Sequence, residues 1–334
     1  MAVKLKKLAN QSVVITGGSS GIGRATAKLA AEKGARVVIA SRDEVELRET
    51  VDEIRKDGGQ AVYVVADVSN PEDLRRVAQT AQREFGGFDT WINDAGLSIY
   101  GRIEEVPLED ARQLFDTNYW GVVNGSTAAL PHLKAHGGAL INLGSIVSDR
   151  AVPLQGHYSA SKHAVKAFTD ALRMELEEED APVSVTLIKP AAINTPFPEH
   201  ARNYMDKEPK LPAPVYAPEV VARAILACAE KPQRDVTVGG GGRMIAAMGN
   251  LAPRLTDKYM ELAMFRAQQK DEGSRNDRDD SLYDPKRGTG RVDGDYPGHV
   301  MRRSAYTGAA LHPGWALLGL LGAVALVTNA RRAY

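Results

Sequence analysis

Apolar runs and helix-like stretches alternate along the first two hundred residues. "SVVITGG" at 12–18 is a short apolar run closed by a glycine turn. That is the pattern of a strand covered on both faces. "GIGRATAKLAAEKGA" follows, with apolar residues at helical spacing and a stop at Gly34. The alternation then repeats. "RVVIASR" predicts a strand, "EVELRETVDEIRKDGG" a charged helix and "AVYVVADVS" a third strand. "PEDLRRVAQTAQREFGG" predicts a helix with Pro71 near its start, where a missing N–H costs little. "FDTWINDAG" supplies a fourth strand, and a single long helix is expected through 108–138. "ALINLGS", a helix holding Tyr158, "VSVTLIKP" and finally "RDVTVGG" near residue 238 continue the series. Strands alternating with helices imply an α/β fold, a parallel sheet covered on both faces.

The pattern changes after Gly242. Residues 241–270 mix apolar and charged positions and are expected to be helical. Residues 271–308 are dense in charge of both signs, with several glycines and prolines, a composition that suits a flexible linker. Residues 309–330 contain the uncharged run Trp315–Val327, followed by Arg331 and Arg332. Thirteen residues span only ~20 Å of helix, but counting from Ala309 extends the reach to nearly the ~30 Å of a hydrocarbon core. The tail is therefore expected to form an apolar helix that associates with a membrane; packing in an oligomer interface is the alternative.

Composition narrows the function. The chain has 334 residues, with 42 Lys plus Arg against 42 Asp plus Glu, so nothing suggests nucleic acid as a partner. The single cysteine, Cys228, excludes an internal disulfide, and no apolar run of signal-peptide length precedes the first strand. A cytoplasmic catalytic domain is expected. His132 and His136 lack a further ligand cluster, so no metal site is expected.

"TGGSSGIG" at 16–23 lies between the first strand and first helix. Gly17, Gly21 and Gly23 let backbone approach backbone and phosphate, and the helix that follows directs N–H groups at an anion. A nucleotide is expected there. At the end of the second strand an acid would hold a ribose 2′-hydroxyl, whereas an arginine accepts a 2′-phosphate. The chain has Ser41 and Arg42, with no carboxylate until Asp43. NADP(H) is therefore the expected cofactor and NAD(H) the less favoured one. Downstream, "HYSASKHAV" sets Tyr158 and Lys162 four apart, on one helix face. A free tyrosine has a pKa near ~10, too high for a good base at neutral pH, and an adjacent ammonium lowers it.

These motifs together resemble those of the short-chain dehydrogenase/reductase family. "TGGSSGIG", "ADVS", "NDAG", "NYWG", "INLGS" and "YSASK" occur in its order over roughly residues 8–240. The resemblance implies a Rossmann-type, doubly wound sheet of about seven strands. It implies catalysis by Asn118, Ser145, Tyr158 and Lys162: Tyr158 as general acid/base, Ser145 on the substrate oxygen, Lys162 on the nicotinamide ribose, and Asn118 holding a water that links Lys162 to solvent. For the cofactor it implies Ser19, Ser20 and Ile22 in the glycine loop, Asp67 and Val68 at the adenine, and Asn93, Ala95 and Gly96 beside the nicotinamide ribose. Pro190, Ile193 and Thr195 follow in "KPAAINT". Two positions depart from the family pattern: Ala191 stands where a glycine is usual, and Asp94 where an asparagine is common. The implied activity is hydride transfer between NADP(H) and an alcohol/carbonyl substrate, taken as apolar because the 195–218 segment has no basic cluster. A homodimer or homotetramer is implied as well. A non-catalytic NADP-binding sensor or scaffold is the alternative function.

Overall fold

The computed structural model describes residues 3–274 and 279–311. Its centre is a seven-stranded parallel sheet of β1 (Ser12–Thr16), β2 (Arg36–Ser41), β3 (Gln60–Val65), β4 (Thr90–Asn93), β5 (Gly138–Leu143), β6 (Val183–Pro190) and β7 (Asp235–Val238). The strands lie in the order β7-β6-β5-β4-β1-β2-β3. The chain starts in the middle, winds out to β3, returns to β4 and winds out the other way. Between β1 and β4 the winding reverses, which opens a crevice at their carboxyl ends. The register there pairs Ile15 with Ile39 on one side and with Ile92 on the other.

Helices α1 (Gly21–Glu32), α2 (Glu44–Lys56), α3 (Pro71–Phe85), α4 (Leu108–Phe115), α5 (Gly121–His136), α6 (Gly156–Glu178) and α7 (Pro218–Glu230) cover the sheet. Alternate strand residues serve opposite faces. Val13, Ile15, Val37, Ile39 and Ile141 pack with Ala27 of α1 and Val221 and Ile225 of α7. Val14, Val38, Trp91 and Leu140 pack with Val77 of α3 and Leu133 of α5. This is why the strands read as unbroken apolar runs. Each buried Val, Leu or Ile contributes about 1.5–3 kcal/mol.

Local chemistry sets several boundaries. Asp43 caps α2 by accepting from the N–H groups of Val45 and Glu46, and Asn70 caps α3 just before Pro71. The long helix expected over 108–138 is not uniform. A π-helical turn, Asp116–Trp120, separates α4 from α5. Such turns are frequent at functional sites, and this one carries Asn118.

Beyond β7, the expected helical region forms α8 (Gly240–Leu251) and α9 (Pro253–Ala267), broken at Ala252–Pro253. Of the stretch 271–308 that its charge marked as a flexible linker, the described residues 280–301 make contacts with the domain. Leu282 is 1% exposed. Val300–Met301 pairs in parallel with Val215–Tyr216, which pairs in turn with Ala192–Ile193. A short helix, α10 (Ala305–Leu311), ends the described chain. Among the described residues no helix is long and apolar enough to cross a membrane. The uncharged run from Trp315 and the arginines after it lie outside the described residues.

Candidate active site

The crevice at the carboxyl ends of β1 and β4 opens into a cavity of about 650 Å³ that reaches from the glycine loop to α9. Gly17, Ser19, Ser20, Gly21 and Ile22 form one wall. Here the glycines are required by space. A Cβ on Gly17 would stand 2.8 Å from the backbone of Ala95, and one on Gly23 would stand 2.1 Å from the Gly17 carbonyl oxygen. Gly21 also has φ +51°, a conformation that L side chains rarely adopt. The loop thus forms a tight cradle at a helix N-terminus, which fits a dinucleotide's phosphates.

The expected adenosine end is nearby. Arg42, Asp67 and Val68 line the cavity beside Ser41. Asp67 accepts from the N–H and hydroxyl of Ser69 and lies 4.0 Å from the Arg42 guanidinium. One carboxylate oxygen of Asp43 caps α2, while the other is buried without a hydrogen-bond partner among the described residues, and Asp43 also lines the cavity. At the other end Ala95, Gly96, Pro190, Ile193 and Thr195 line the cavity. Ala191 donates its N–H to the Val238 carbonyl, and its φ is not positive, so no glycine is needed there.

Asn93 behaves differently from its expectation. Its side chain is buried behind β4, bonded to Asn142 at 2.8 Å, to Ser126 at 3.2 Å and to the Trp91 indole at 2.8 Å. It braces the sheet and does not line the cavity. Asn118 likewise commits its amide to protein. It accepts from the N–H of Leu97 at 2.8 Å and donates to the Leu97 carbonyl at 2.9 Å and to Ser161 at 3.1 Å. Its side chain fixes the turn after β4.

Ser145, Tyr158 and Lys162 converge at the centre of the cavity. Ser145 caps the short turn Ile146–Ser148 and hydrogen-bonds Tyr158. Tyr158 and Lys162 share a face of α6, as their spacing requires, and the ammonium lies 6.0 Å from the phenol ring centre. Lys162 donates to the Leu143 carbonyl at 2.8 Å. The electrostatics differ from the expectation of a depressed phenol. Burial pushes Tyr158 up to about 12, against the opposing bond from Ser145. Burial also pushes Lys162 down to about 8, against the opposing charge of Asp94. The reason is desolvation: charging a group inside costs more than one stand-off cation returns.

Asp94 carries an electrostatic role that its motif did not announce. It retains accessible area while lining the cleft. Protein otherwise surrounds it, and burial raises its carboxyl to about 7. Lys162 and the Gly23 N–H oppose that rise. One side chain thereby couples the glycine loop to the lysine. Its signal in the sequence was the departure from asparagine. In Asp94→Asn the amide oxygen still accepts from Gly23, but Lys162 loses its counter-charge and its pKa falls further. The alkaline limb of any pH–rate profile that depends on a charged Lys162 is then expected to move to lower pH. A pH–rate profile with an unmoved limb would remove Asp94 from the site's electrostatics.

Comparison with known proteins places this geometry. The short chain dehydrogenase family pattern matches residues 11–206. An uncharacterized oxidoreductase of Bacillus subtilis, YxnA, is 48% identical over 315 residues, covering 93% of this chain and 88% of that protein. A short chain dehydrogenase/reductase from Burkholderia phymatum, in complex with NAD, superimposes with a TM-score of 0.68 at 25% identity. That match covers 76% of this chain and 96% of that one. An alcohol dehydrogenase from Thermococcus sibiricus, complexed with 5-hydroxy-NADP, gives 0.60 at 26% identity over 68% of this chain and 95% of its own.

Proposed function

The chain belongs to the short chain dehydrogenase family of oxidoreductases, and from that premise we propose that it reduces apolar ketones or aldehydes with NADPH. The observation that carries the reading is the convergence of Ser145, Tyr158 and Lys162 midway between a glycine cradle and an apolar chamber. The chamber wall is supplied by α8 and α9 through Met244, Met248, Met260 and Met264, with Tyr259. Its polar groups are already paired. Arg150 bonds Asp257, and the Gln268 amide donates to the Pro153 carbonyl at 2.8 Å. Flexible thioethers shape themselves to apolar ligands of varied outline.

A bound nicotinamide would supply the hydride. The protein's own part is to place the carbonyl and manage its proton. The Ser145 hydroxyl donates a hydrogen bond to the substrate oxygen, where negative charge develops. The Tyr158 O–H gives its proton to that oxygen, so the carbonyl becomes an alcohol as hydride reaches its carbon. A phenol pushed up to about 12 keeps its proton at neutral pH, which suits a donor. Lys162, its ammonium 6.0 Å from the phenol ring centre, would favour the phenolate left behind, and the family resemblance gives it the ribose hydroxyls to hold. Ser145, Tyr158 and Lys162 are thus the proposed catalytic residues, with Asn118 positioning the turn beside them. The test is NADPH consumption, followed by absorbance, across a panel of aliphatic, alicyclic and aromatic carbonyls. Tight NADPH binding with no turnover on any of them would favour the non-catalytic sensor.

Preference for NADP rests on Ser41 and Arg42. The guanidinium carries five N–H groups, and the two bonds it makes to protein carbonyls leave donors for a 2′-phosphate. Replacing Ser41 by Asp and Arg42 by Ile should shift the NADP:NAD ratio of kcat/KM toward NAD by ~10–100-fold, the loss of a charge-assisted contact of about 1.5–3 kcal/mol. An unmoved ratio would make Arg42 a structural residue only.

A further inference from the structure

Residues 280–294 cross the nucleotide crevice from one bank to the other. On the β2 side, the Arg42 guanidinium donates to the carbonyls of Ser281 and Tyr283, and Leu282 is buried among Leu97, Val106 and Leu114. Over the glycine loop, Arg24 donates to the Gly290 carbonyl, and the Gly21 N–H donates to the Arg291 carbonyl at 3.0 Å. On the far side, Thr289 shares a hydrogen bond of 2.7 Å with His200, Arg291 pairs with Glu199, and Asn194 donates to Asp293 at 3.4 Å. The fit is close: a Cβ on Gly290 would stand 1.4 Å from Oε2 of Glu46.

These contacts change how the cradle meets an anion. At the start of α1, Gly21 is bonded to the crossing segment, Gly23 to Asp94 and Arg24 to the Ser20 carbonyl. Of these first helical N–H groups, Ile22 is left for the ligand. The loop's own cation is also committed, since the Arg24 guanidinium is buried and paired with Glu53 at 2.9 Å and Glu46 at 3.7 Å. With so few backbone N–H groups left, a cation would strengthen the hold on a pyrophosphate through charge-assisted hydrogen bonds. Lys286 on the crossing segment lines the cavity with Ser281 and Thr289, its Nζ held only at 3.5 Å from the Glu199 carbonyl among the described residues.

We propose that residues 280–294 form a strap that closes over the bound dinucleotide, with Lys286 as the cation for its phosphates, so that cofactor leaves only when the strap opens. The proposal rests on the nucleotide site assigned above. It adds a binding residue and a gate, both outside the family-matched residues 11–206.

The full-length protein and NADPH test it. Lys286→Met is expected to weaken NADPH binding, read by fluorescence titration, by ~10-fold, the scale of one charge-assisted contact. Gly290→Ala forces either the Glu46 side chain off its pairing with Arg24 or the latch out of place. It should speed NADPH dissociation by ~10-fold in stopped flow, and Glu46→Ala added to it should restore the wild-type rate by making room. Trypsin should cut after Lys286, Arg287 and Arg291 more slowly when NADPH is bound. If the wild-type protein binds neither NADPH nor NADH, the nucleotide reading itself fails. If it binds, but Gly290→Ala leaves dissociation unchanged, Lys286→Met leaves affinity unchanged, or NADPH accelerates tryptic cutting, the strap does not close over cofactor and the proposal is overturned.

Discussion

Tyr158→Phe is expected to lower turnover by at least ~10²-fold, the scale of general-acid catalysis, while NADPH binds nearly as well. The substitution keeps the ring, which packs 5.6 Å from the ring of Phe197 and within the apolar cluster of Leu97 and Val147. It removes only the hydroxyl that Ser145 contacts. Steady-state kinetics on a carbonyl substrate, with a parallel NADPH titration, separates the two effects. Near-normal turnover would take Tyr158 out of the mechanism. The wild-type protein carries a related expectation. Because burial holds the phenol near about 12, it is a proton donor at neutral pH and a base only as pH rises. Alcohol oxidation should therefore climb through the alkaline range, while carbonyl reduction is favoured on the neutral side.

Gly23→Ala is expected to weaken NADPH binding by ~10²-fold, or about 3 kcal/mol, the upper range for forcing an extra carbon into a filled space. The added Cβ would meet the Gly17 carbonyl oxygen at 2.1 Å and the Asp94 carboxylate at 2.7 Å. Neither can withdraw cheaply. The Gly17 carbonyl belongs to the turn that shapes the cradle, and Asp94 is held beside Lys162. Gly273→Ala is the control, because a Cβ there meets nothing within 4 Å and the backbone is not in the positive-φ region. Circular dichroism checks that both variants fold. Wild-type affinity in Gly23→Ala would mean that the cradle yields more easily than its contacts indicate.

Spacing along the chain was enough for most features that depend on near neighbours, the π-helical turn at Asp116–Trp120 being an exception. Short stretches rich in Val, Ile and Leu, most of them bounded by glycine or charged residues, marked the seven sheet strands, although Thr90–Asn93 and Asp235–Val238 hold only two apolar residues each. Pro71 and Asn70 marked a helix start, and the glycines of 17–23 marked a turn that excludes side chains. Tyr158 and Lys162 had to share a helix face because four residues make about one turn. Each of these signals is local, so no knowledge of distant contacts was needed to read it.

Other features depended on which distant segments meet. Asn93 sits in a cofactor motif, yet its amide faces Asn142 and Ser126, because the residue on that side of β4 points into the helix layer. The balance at Tyr158 turned on burial, which one-turn spacing does not report. Residues 280–294 were hidden by their own composition. Charge density measures how poorly side chains suit a core, but this strap is held largely through its main chain. The carbonyls of Ser281, Tyr283, Gly290 and Arg291 accept from Arg42, Arg24 and Gly21, residues more than two hundred positions away. Its Asp280 and Arg291 are met by Arg202 and Glu199. Every residue type has a carbonyl, so no side-chain pattern along the chain announces such a contact; only the folded sheet brings its donors within reach.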